Sequence, residues 1–458
     1  MKKKEIMKKL AAIALTASLL LSATACGAKE STAAADSSAQ KTVTEQTVTE
    51  DTEEEETEAE ETESTAEAQT ANTTTQTETI VSTAAVTSGG AIDASDLFTE
   101  RDLTQTADLS EASYITVKDD EDINITQAGV YVISGSASEV TIRIEAGDED
   151  KVQLVLDGVS ITNSDFPCIY VVNADKVFVT TTEGSENSLS VTGAFTADGE
   201  TNTDGAIFAK DDLVLNGLGT LSVSSTDHGI VCKNDIKITG GTLIVDSASS
   251  AIQAKDSISV ADGTLILTSD TDGLHAADDD DDTTGWIYIC GGTMDIDVGD
   301  DGIHASTIVQ IDGGTLSINA AEAIEGTWVQ VNGGDIEIYA TDDGINASAK
   351  SSAYTILAEF NGGYTTIQMG QGDTDAVDSN GYIVVNGGTL DITAQSPFDY
   401  DYGAEYNGGT IIVNGTETNE ITNQMMGGGM MGGQPGGNMG GQGGPQGGGQ
   451  PGGPGGHF

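Results

Sequence analysis

The sequence predicts an all-β chain wound as a right-handed, single-stranded parallel β-helix with about 21–23 residues per coil. Three observations predict it. An Asp-Gly-Ile-x-Ala phrase recurs as Asp272-Gly273-Leu274-His275-Ala276, Asp301-Gly302-Ile303-His304-Ala305 and Asp343-Gly344-Ile345-Asn346-Ala347. A Gly-Gly-Thr-Leu phrase alternates with it, at Gly240–Leu243, Gly313–Leu316 and Gly387–Leu390. Between the phrases, apolar and polar residues alternate as in Leu221-Ser222-Val223, the period of a strand with one buried face.

The apolar pivot of the first phrase sets the coil length. It recurs at Ile207, Ile230, Ile252, Leu274, Ile303, Ile324, Ile345, Val377 and Phe398, in steps of 23, 22, 22, 29, 21, 21, 32 and 21 residues. Both long steps contain a polar insertion, Asp278–Gly285 and Ser348–Tyr354. Stacked short strands with glycine corners form a solenoid, because glycine tolerates the positive φ a tight corner demands. The Gly, Thr and Val content excludes helical repeats, and the Leu-x-x-Leu-x-Leu signature of leucine-rich repeats is absent. Residues 91–200 read as the same architecture in less regular form, with strands at Val152–Leu156 and Val177–Val179. Asp96–Val117 is expected to cap the open end of the solenoid.

The flanks read differently. Residues 1–25 are a basic then apolar export signal, too short in its apolar run to span a bilayer comfortably. The run ends in Ala23-Thr24-Ala25-Cys26-Gly27, which resembles a lipobox with Ala23 where Leu is usual. Cys26 is the expected lipidation site, and two acyl chains give stable anchoring. The rest of 26–90 is a Thr/Glu-rich spacer, 91–423 the β-helix, and 424–458 a Gly/Met/Gln/Pro-rich tail without core-forming residues. The expected location is therefore the extracellular face of the cell membrane. Cys168, Cys232 and Cys290 are odd in number and are read as small buried hydrophobes. With 17 Lys and Arg against 74 Asp and Glu, the chain repels nucleic acid and suits cations.

Equivalent positions of successive coils stack at about 4.8 Å, so alignment on the pivot lists columns of neighbours. Two residues before the pivot stand Asp272, Asp301, Glu322, Asp343 and Asp375; one residue after it stand His275, His304, Glu325, Asn346, Asp378 and Asp399. Stacked carboxylates need relief, either from Ca²⁺, which takes oxygen-rich flexible sites, or from hydrogen bonds to their own turns. His275 and His304 are neighbours by this register, without a third soft ligand for Zn²⁺. Lys210, Lys233 and Lys255 form a column that reads either as a Lys–Asp ladder or as a strip for an acidic sugar. A further column holds Trp286, Ile308, Trp328, Leu357 and Tyr382, pointing outward. Its rings recur every second coil, about 9.6 Å apart, near the cellobiose repeat of a β-1,4-glucan. Aromatic faces stack on sugars, unless the insertions fold over and bury them. Tyr400, Tyr402 and Tyr406 would extend this platform.

The two phrases, the leading Cys26 and the Gly-Gly-Gln-Pro-Gly-Gly tail together resemble a clostridial family of parallel β-helix lipoproteins known as carbohydrate-binding domain-containing proteins. The resemblance implies a pectate-lyase-like fold, Ca²⁺ binding, and binding of cellulose and polygalacturonate without clear lyase activity. It carries over to Asp272, Asp301 and Asp343, and by register to Glu322 and Asp375, where Ala323 and Ala376 replace the glycine. The expected function is non-catalytic, Ca²⁺-assisted polysaccharide binding by a monomer. The competing readings are a Ca²⁺-dependent polysaccharide lyase and a surface adhesin with a protein partner. Proton abstraction by a lyase needs Arg or Lys near the cation, and only Lys350 lies close in sequence to the acidic columns.

Overall fold

A computed structural model of the chain describes residues 91–372 and 374–423. The readings of residues 1–25, of Cys26, of the spacer to residue 90 and of the tail 424–458 lie outside them. The described residues form a parallel β-helix, and the coil that opens at Asp301 shows its plan. Asp301–Ala305, Ile308–Ile311 and Thr315–Ala320 are its three strands, and Glu322–Gly326 opens the next coil directly above. First strands stack into a 12-stranded parallel sheet, while second and third strands belong to a 24-stranded one. Leu274, Ile303, Ile324, Ile345 and Val377 lie on one another in register and are fully buried, so the pivot column is one wall of the core. At the C-terminal end Thr410–Val413 pairs antiparallel with Thr416–Thr418 and breaks the parallel stack.

The Gly-Gly corner explains why the coils superpose. Its second glycine takes a left-handed φ at Gly241 (79°), Gly314 (101°), Gly334 (93°) and Gly388 (75°), a conformation L-residues avoid. Beside it runs an asparagine ladder: Asn361, Asn386 and Asn407 each donate to the asparagine one coil earlier, at 2.8, 2.7 and 2.9 Å. Ala323 and Ala376 do not disturb their coils. Both are fully buried, and their strands hold the register of the glycine-bearing ones.

Two expectations are corrected. Asp96–Val117 divides: up to Gln105 it belongs to a strap, begun at Ala91, along the outer face of the 24-stranded sheet, and only Ser113–Thr116 covers the end of the stack, paired with Tyr131–Ser134. The Ala91 and Ile92 amides donate to Gln330 Oε1 and Gln310 Oε1, Lys237 donates to the Leu97 carbonyl, and Gln105 Nε2 donates to the Thr239 carbonyl. The one-turn helix Glu100–Leu103 buries Asp102 between Lys176 and Lys237, both at 3.6 Å. The strap lies there because the flank offers polar partners, whereas Ser113–Thr116 simply joins the sheet as its first strand. The second correction concerns cysteine. Cys168 and Cys232 are buried free thiols, and burial pushes Cys168 up to about 12. Cys290 instead is only half-buried, at a corner, with its sulfur 3.6 Å from the Val260 carbonyl oxygen.

Candidate functional site

The first-strand sheet carries the acidic columns. Register pairs His275 with His304, His304 with Glu325, Glu325 with Asn346 and Asn346 with Asp378. The companion column pairs Asp301 with Glu322 and Asp343 with Asp375. Within a coil the two columns face each other three residues apart. His275 Nδ1 lies 2.8 Å from Asp272 Oδ2, and His304 Nδ1 lies 2.6 Å from Asp301 Oδ2 and 2.9 Å from Glu325 Oε2. The two imidazoles stack with centroids 4.6 Å apart and planes 6° from parallel. Donor atoms of Asp301, His304 and Glu325 lie within 4.8 Å of one another, a group able to hold a metal ion.

Electrostatics divides this ladder in two. Burial disfavours charge on His304, but the bonds and charges of Asp301 and Glu325 outweigh it and push its pKa up to about 9. Burial likewise opposes the Glu325 carboxylate, yet His304 and Lys350 bring it down to about 2. The protein thus neutralises this half with its own cations. The other half has no such relief. Burial, then the charges of Glu325, Asp301 and Asp342, raise Glu322 to about 7 against the pull of an Asn346 bond. Asp343 also reaches about 7, through burial and then Asp378, Glu322 and Asp342, against the bond from the Asp375 amide. Asp378 reaches about 6, through burial and then Asp399 and Asp375.

The aromatic column lies on the other sheet. Ser257 pairs with Trp286, Ile308 with Trp328, Trp328 with Leu357, and Leu357 with Tyr382. Trp286, Trp328, Leu357 and Tyr382 are half-buried, and Ile308 is buried. Both flanks of this column are raised. On one side the two insertions bond to each other: Ser351 and Ser352 donate to Asp282, and Tyr354 donates to the Thr283 carbonyl. The Ser351 amide also donates to Thr327, at the foot of Trp328. On the other side the strap covers the next outward column, Gln310 and Gln330. The stripe is therefore neither fully open nor buried; it runs along a trough. Tyr402 continues it, 69% exposed, with its ring 5.6 Å from Tyr382. Tyr400 and Tyr406 do not continue it. They occupy inward positions against the core, and their hydroxyls donate to the Ile421 and Gly409 carbonyls.

The three lysines of the column have different surroundings. Lys210 Nζ sits 5.8 Å from the Tyr170 ring and Lys233 Nζ 5.3 Å from the Phe208 ring, while Lys255 pairs with Asp278 at 3.2 Å. Tyr170 and Phe208 are fully buried outside the solenoid in a small cluster of their own. They occupy the His275 column several coils earlier. Extending the register one residue past Ile207 would have found Phe208, which sequence reasoning missed. Asp278 is held below the usual carboxylate range: burial opposes this, and the Asp280 amide and Lys255 outweigh it. The aspartate run Asp278–Asp282 thus spends its bonds on Lys255, on its own loop and on the second insertion.

A β-helix that ranks equivalent side chains into outward columns defines a solenoid with extended lateral surfaces. The chain belongs to the carbohydrate-binding domain-containing protein family, whose profile matches residues 119–376, more than half of it. A carbohydrate-binding domain-containing protein of Acetivibrio thermocellus is 36% identical over 125 residues, covering 27% of this chain and 44% of that relative's length. The polysaccharide lyase-like protein from C. thermocellum, solved as a gadolinium derivative, aligns over 66% of this chain and 97% of its own. Its TM-score is 0.37 at 20% identity.

Proposed function

We propose that the protein is a non-catalytic polysaccharide binder that holds a glucan chain such as cellulose along the Trp286–Trp328–Tyr382 column. One observation carries this reading: the register sets these rings in one outward file on alternate coils, in a trough between the paired insertions and the strap. A separation of about 9.6 Å suits sugar rings that present the same face every second residue. Family membership supports a carbohydrate ligand. Lys350 argues against the lyase reading, since its ammonium is bonded to Glu325 at 3.0 Å rather than facing open surface. The test is retention on microcrystalline cellulose. Trp286→Ala with Trp328→Ala should abolish retention while the circular dichroism spectrum stays that of the parent; unchanged retention would overturn the reading.

Ca²⁺ has its own place in this reading. The oxygen-only half of the ladder, Glu322, Asp343 and Asp378 with Asp375 beside them, supplies hard carboxylate donors, the donor set Ca²⁺ prefers. Bound there, the cation would relieve mutual repulsion and bridge to the carboxylates of an acidic polysaccharide such as polygalacturonate. Because this ladder and the aromatic column lie on different sheets, neutral and acidic glycans would bind separate faces. Anchoring through Cys26 at the extracellular face completes the proposal, supported by the export-signal pattern. Mass spectrometry of the mature chain should find an acylated Cys26, and a free or disulfide-bonded Cys26 sulfur would overturn it.

A further inference from the structure

Two residues along the strands from the aromatic column stands a polar file: Ser259, Tyr288, Gln310, Gln330 and Glu359, in register on five successive coils. We propose that Gln310 and Gln330 form a second, hydrogen-bonding subsite for a neutral glucan. The first residues of the strap, Ala91 and Ile92, occupy it as a displaceable stand-in for sugar hydroxyls. The proposal rests on the glucan reading of the Trp286–Trp328–Tyr382 column.

The two glutamines are oriented as well as buried. Gln310 Nε2 donates to Asp312 Oδ1 at 2.9 Å, and Gln330 Nε2 donates to Glu359 Oε2 at 2.7 Å. Each acidic oxygen claims the NH₂ end of its amide, so each Oε1 is left for another donor. The strap supplies it: the Ile92 amide donates to Gln310 Oε1 at 2.6 Å and the Ala91 amide to Gln330 Oε1 at 2.8 Å. Gln330 Oε1 also accepts from Asn332 at 3.0 Å. The result is a pair of fixed acceptors one coil apart, about 4.8 Å. A hydroxyl can serve them as a peptide N–H does. The acceptors are uncharged and have Asp312 and Glu359 beside them, which suits a neutral, hydroxyl-rich chain and disfavours an anionic one.

Trp328 and Gln330 lie two residues apart on one strand, as do Ile308 and Gln310, so each pair points to the same side, about 6.7 Å apart. A β-linked glucose ring stacked flat on an indole directs its equatorial hydroxyls sideways, toward this file. A chain with one sugar per coil then meets an aromatic ring at every second residue and an acceptor at each.

The strap fills the file imperfectly. Ser259 is fully buried in it, and its Oγ has no hydrogen-bond partner among the described residues. Between Ile92, on Gln310, and Leu97, on Lys237, the strap makes a turn, in which the Leu97 amide donates to the Ala94 carbonyl at 3.4 Å and the Ser95 amide to Asp93 Oδ1 at 3.1 Å. Past the turn, the buried Asp102 pairs with Lys176 and Lys237 and fastens the strap. Before it, the amides of Ala91 and Ile92 bond neutral glutamines. The less firmly held end opens first, and a sugar hydroxyl replaces each bond it gives up.

The test measures cellohexaose binding to the full chain by calorimetry, with amide hydrogen exchange on the same protein. Ile92→Pro removes the donor to Gln310, and should tighten binding about 5-fold, the worth of one hydrogen bond. Adding Gln310→Leu should cancel that gain, and melting curves of both variants verify the fold. In the parent, saturating cellohexaose should speed exchange at Ala91 and Ile92 while leaving Leu103, bonded within the strap to the Thr99 carbonyl, unchanged. Binding by Ile92→Pro no tighter than the parent's, or exchange at Ala91 and Ile92 that does not quicken, would overturn the subsite alone. A parent that binds no cellohexaose, or binds it as well after Trp286→Ala with Trp328→Ala, would overturn the column reading and the subsite together.

Discussion

Lys350 Nζ lies 3.0 Å from Glu325 Oε2, and through this contact the second insertion is fastened to the acidic ladder. Ser348 adds a second fastening by donating to Glu325 Oε1 at 3.0 Å. The insertion in turn bonds the aspartate loop some 70 residues earlier and walls the aromatic trough. Lys350→Ala is therefore expected to cost about 1–2 kcal/mol, between the values for exposed and buried ion pairs, and to weaken cellulose retention although Lys350 touches no sugar. Denaturant midpoints and pull-down on the same preparation check both halves. Retention equal to the parent's would mean that the wall is held without Lys350.

Asp102 should matter more than its distance from any column suggests. It is fully buried, with Lys176 and Lys237 only 12% and 11% exposed on either side. Asp102→Ala leaves two cations close together without their anion, and is expected to cost about 3–5 kcal/mol. Limited proteolysis should then cut first between residues 91 and 110. A variant as resistant as the parent would show that the strap does not depend on this triad.

Stability should vary with pH in a direction set by the ladder. Folding raises Glu322 to about 7 from 4.5, Asp343 to about 7 from 3.8, and His304 to about 9 from 6.5. A group raised by folding gives its full contribution below its unfolded pKa and loses it as pH climbs through the folded value. All three therefore favour the lower end of the range between pH 5 and pH 8. Glu325, lowered to about 2, loses its contribution only below that range. In EDTA the melting temperature should be higher at pH 5 than at pH 8, and Ca²⁺ at pH 8 should recover the difference. A melting temperature indifferent to Ca²⁺ would assign the carboxylates to their own hydrogen bonds.

Gly302 tests how closely the coils approach. A Cβ there would stand 2.5 Å from the Ala323 carbonyl oxygen and 2.4 Å from Ile318 Cγ2. Gly302→Ala is expected to destabilise by about 1–3 kcal/mol, the usual cost of overpacking. Chemical denaturation measures it, and a neutral result would mean that the backbone yields where the static structure shows no room.

The coil plan and the columns were legible because the Gly-Gly corner and the Asp-Gly-Ile phrase each fix register, and register alone makes His275 a neighbour of His304 and Trp328 a neighbour of Ile308. What was illegible rests on contacts that leave no pattern. The strap is held by the amides of Ala91 and Ile92, which any residue but proline would offer, to glutamines more than 200 positions away. The Tyr170–Phe208 cluster breaks the rule that the outer face is polar, because a loop covers it: Asp198 accepts from the Tyr170 hydroxyl at 3.0 Å. The division of the ladder into a self-neutralised and an uncompensated half also needed coordinates, since Lys350 acts from outside the repeat.

The strap also orders events in time. Coils of a solenoid can form one upon another as the chain emerges, each needing only its neighbour. Ala91 and Ile92 cannot, for their partners Gln330 and Gln310 are synthesised more than 200 residues later. The earliest described residues thus dock only after the coils they cross have formed. Until they do, the N-terminal stretch hangs loose beside a growing rod, and its closure signals that the coils from Lys176 to Gln330 are complete.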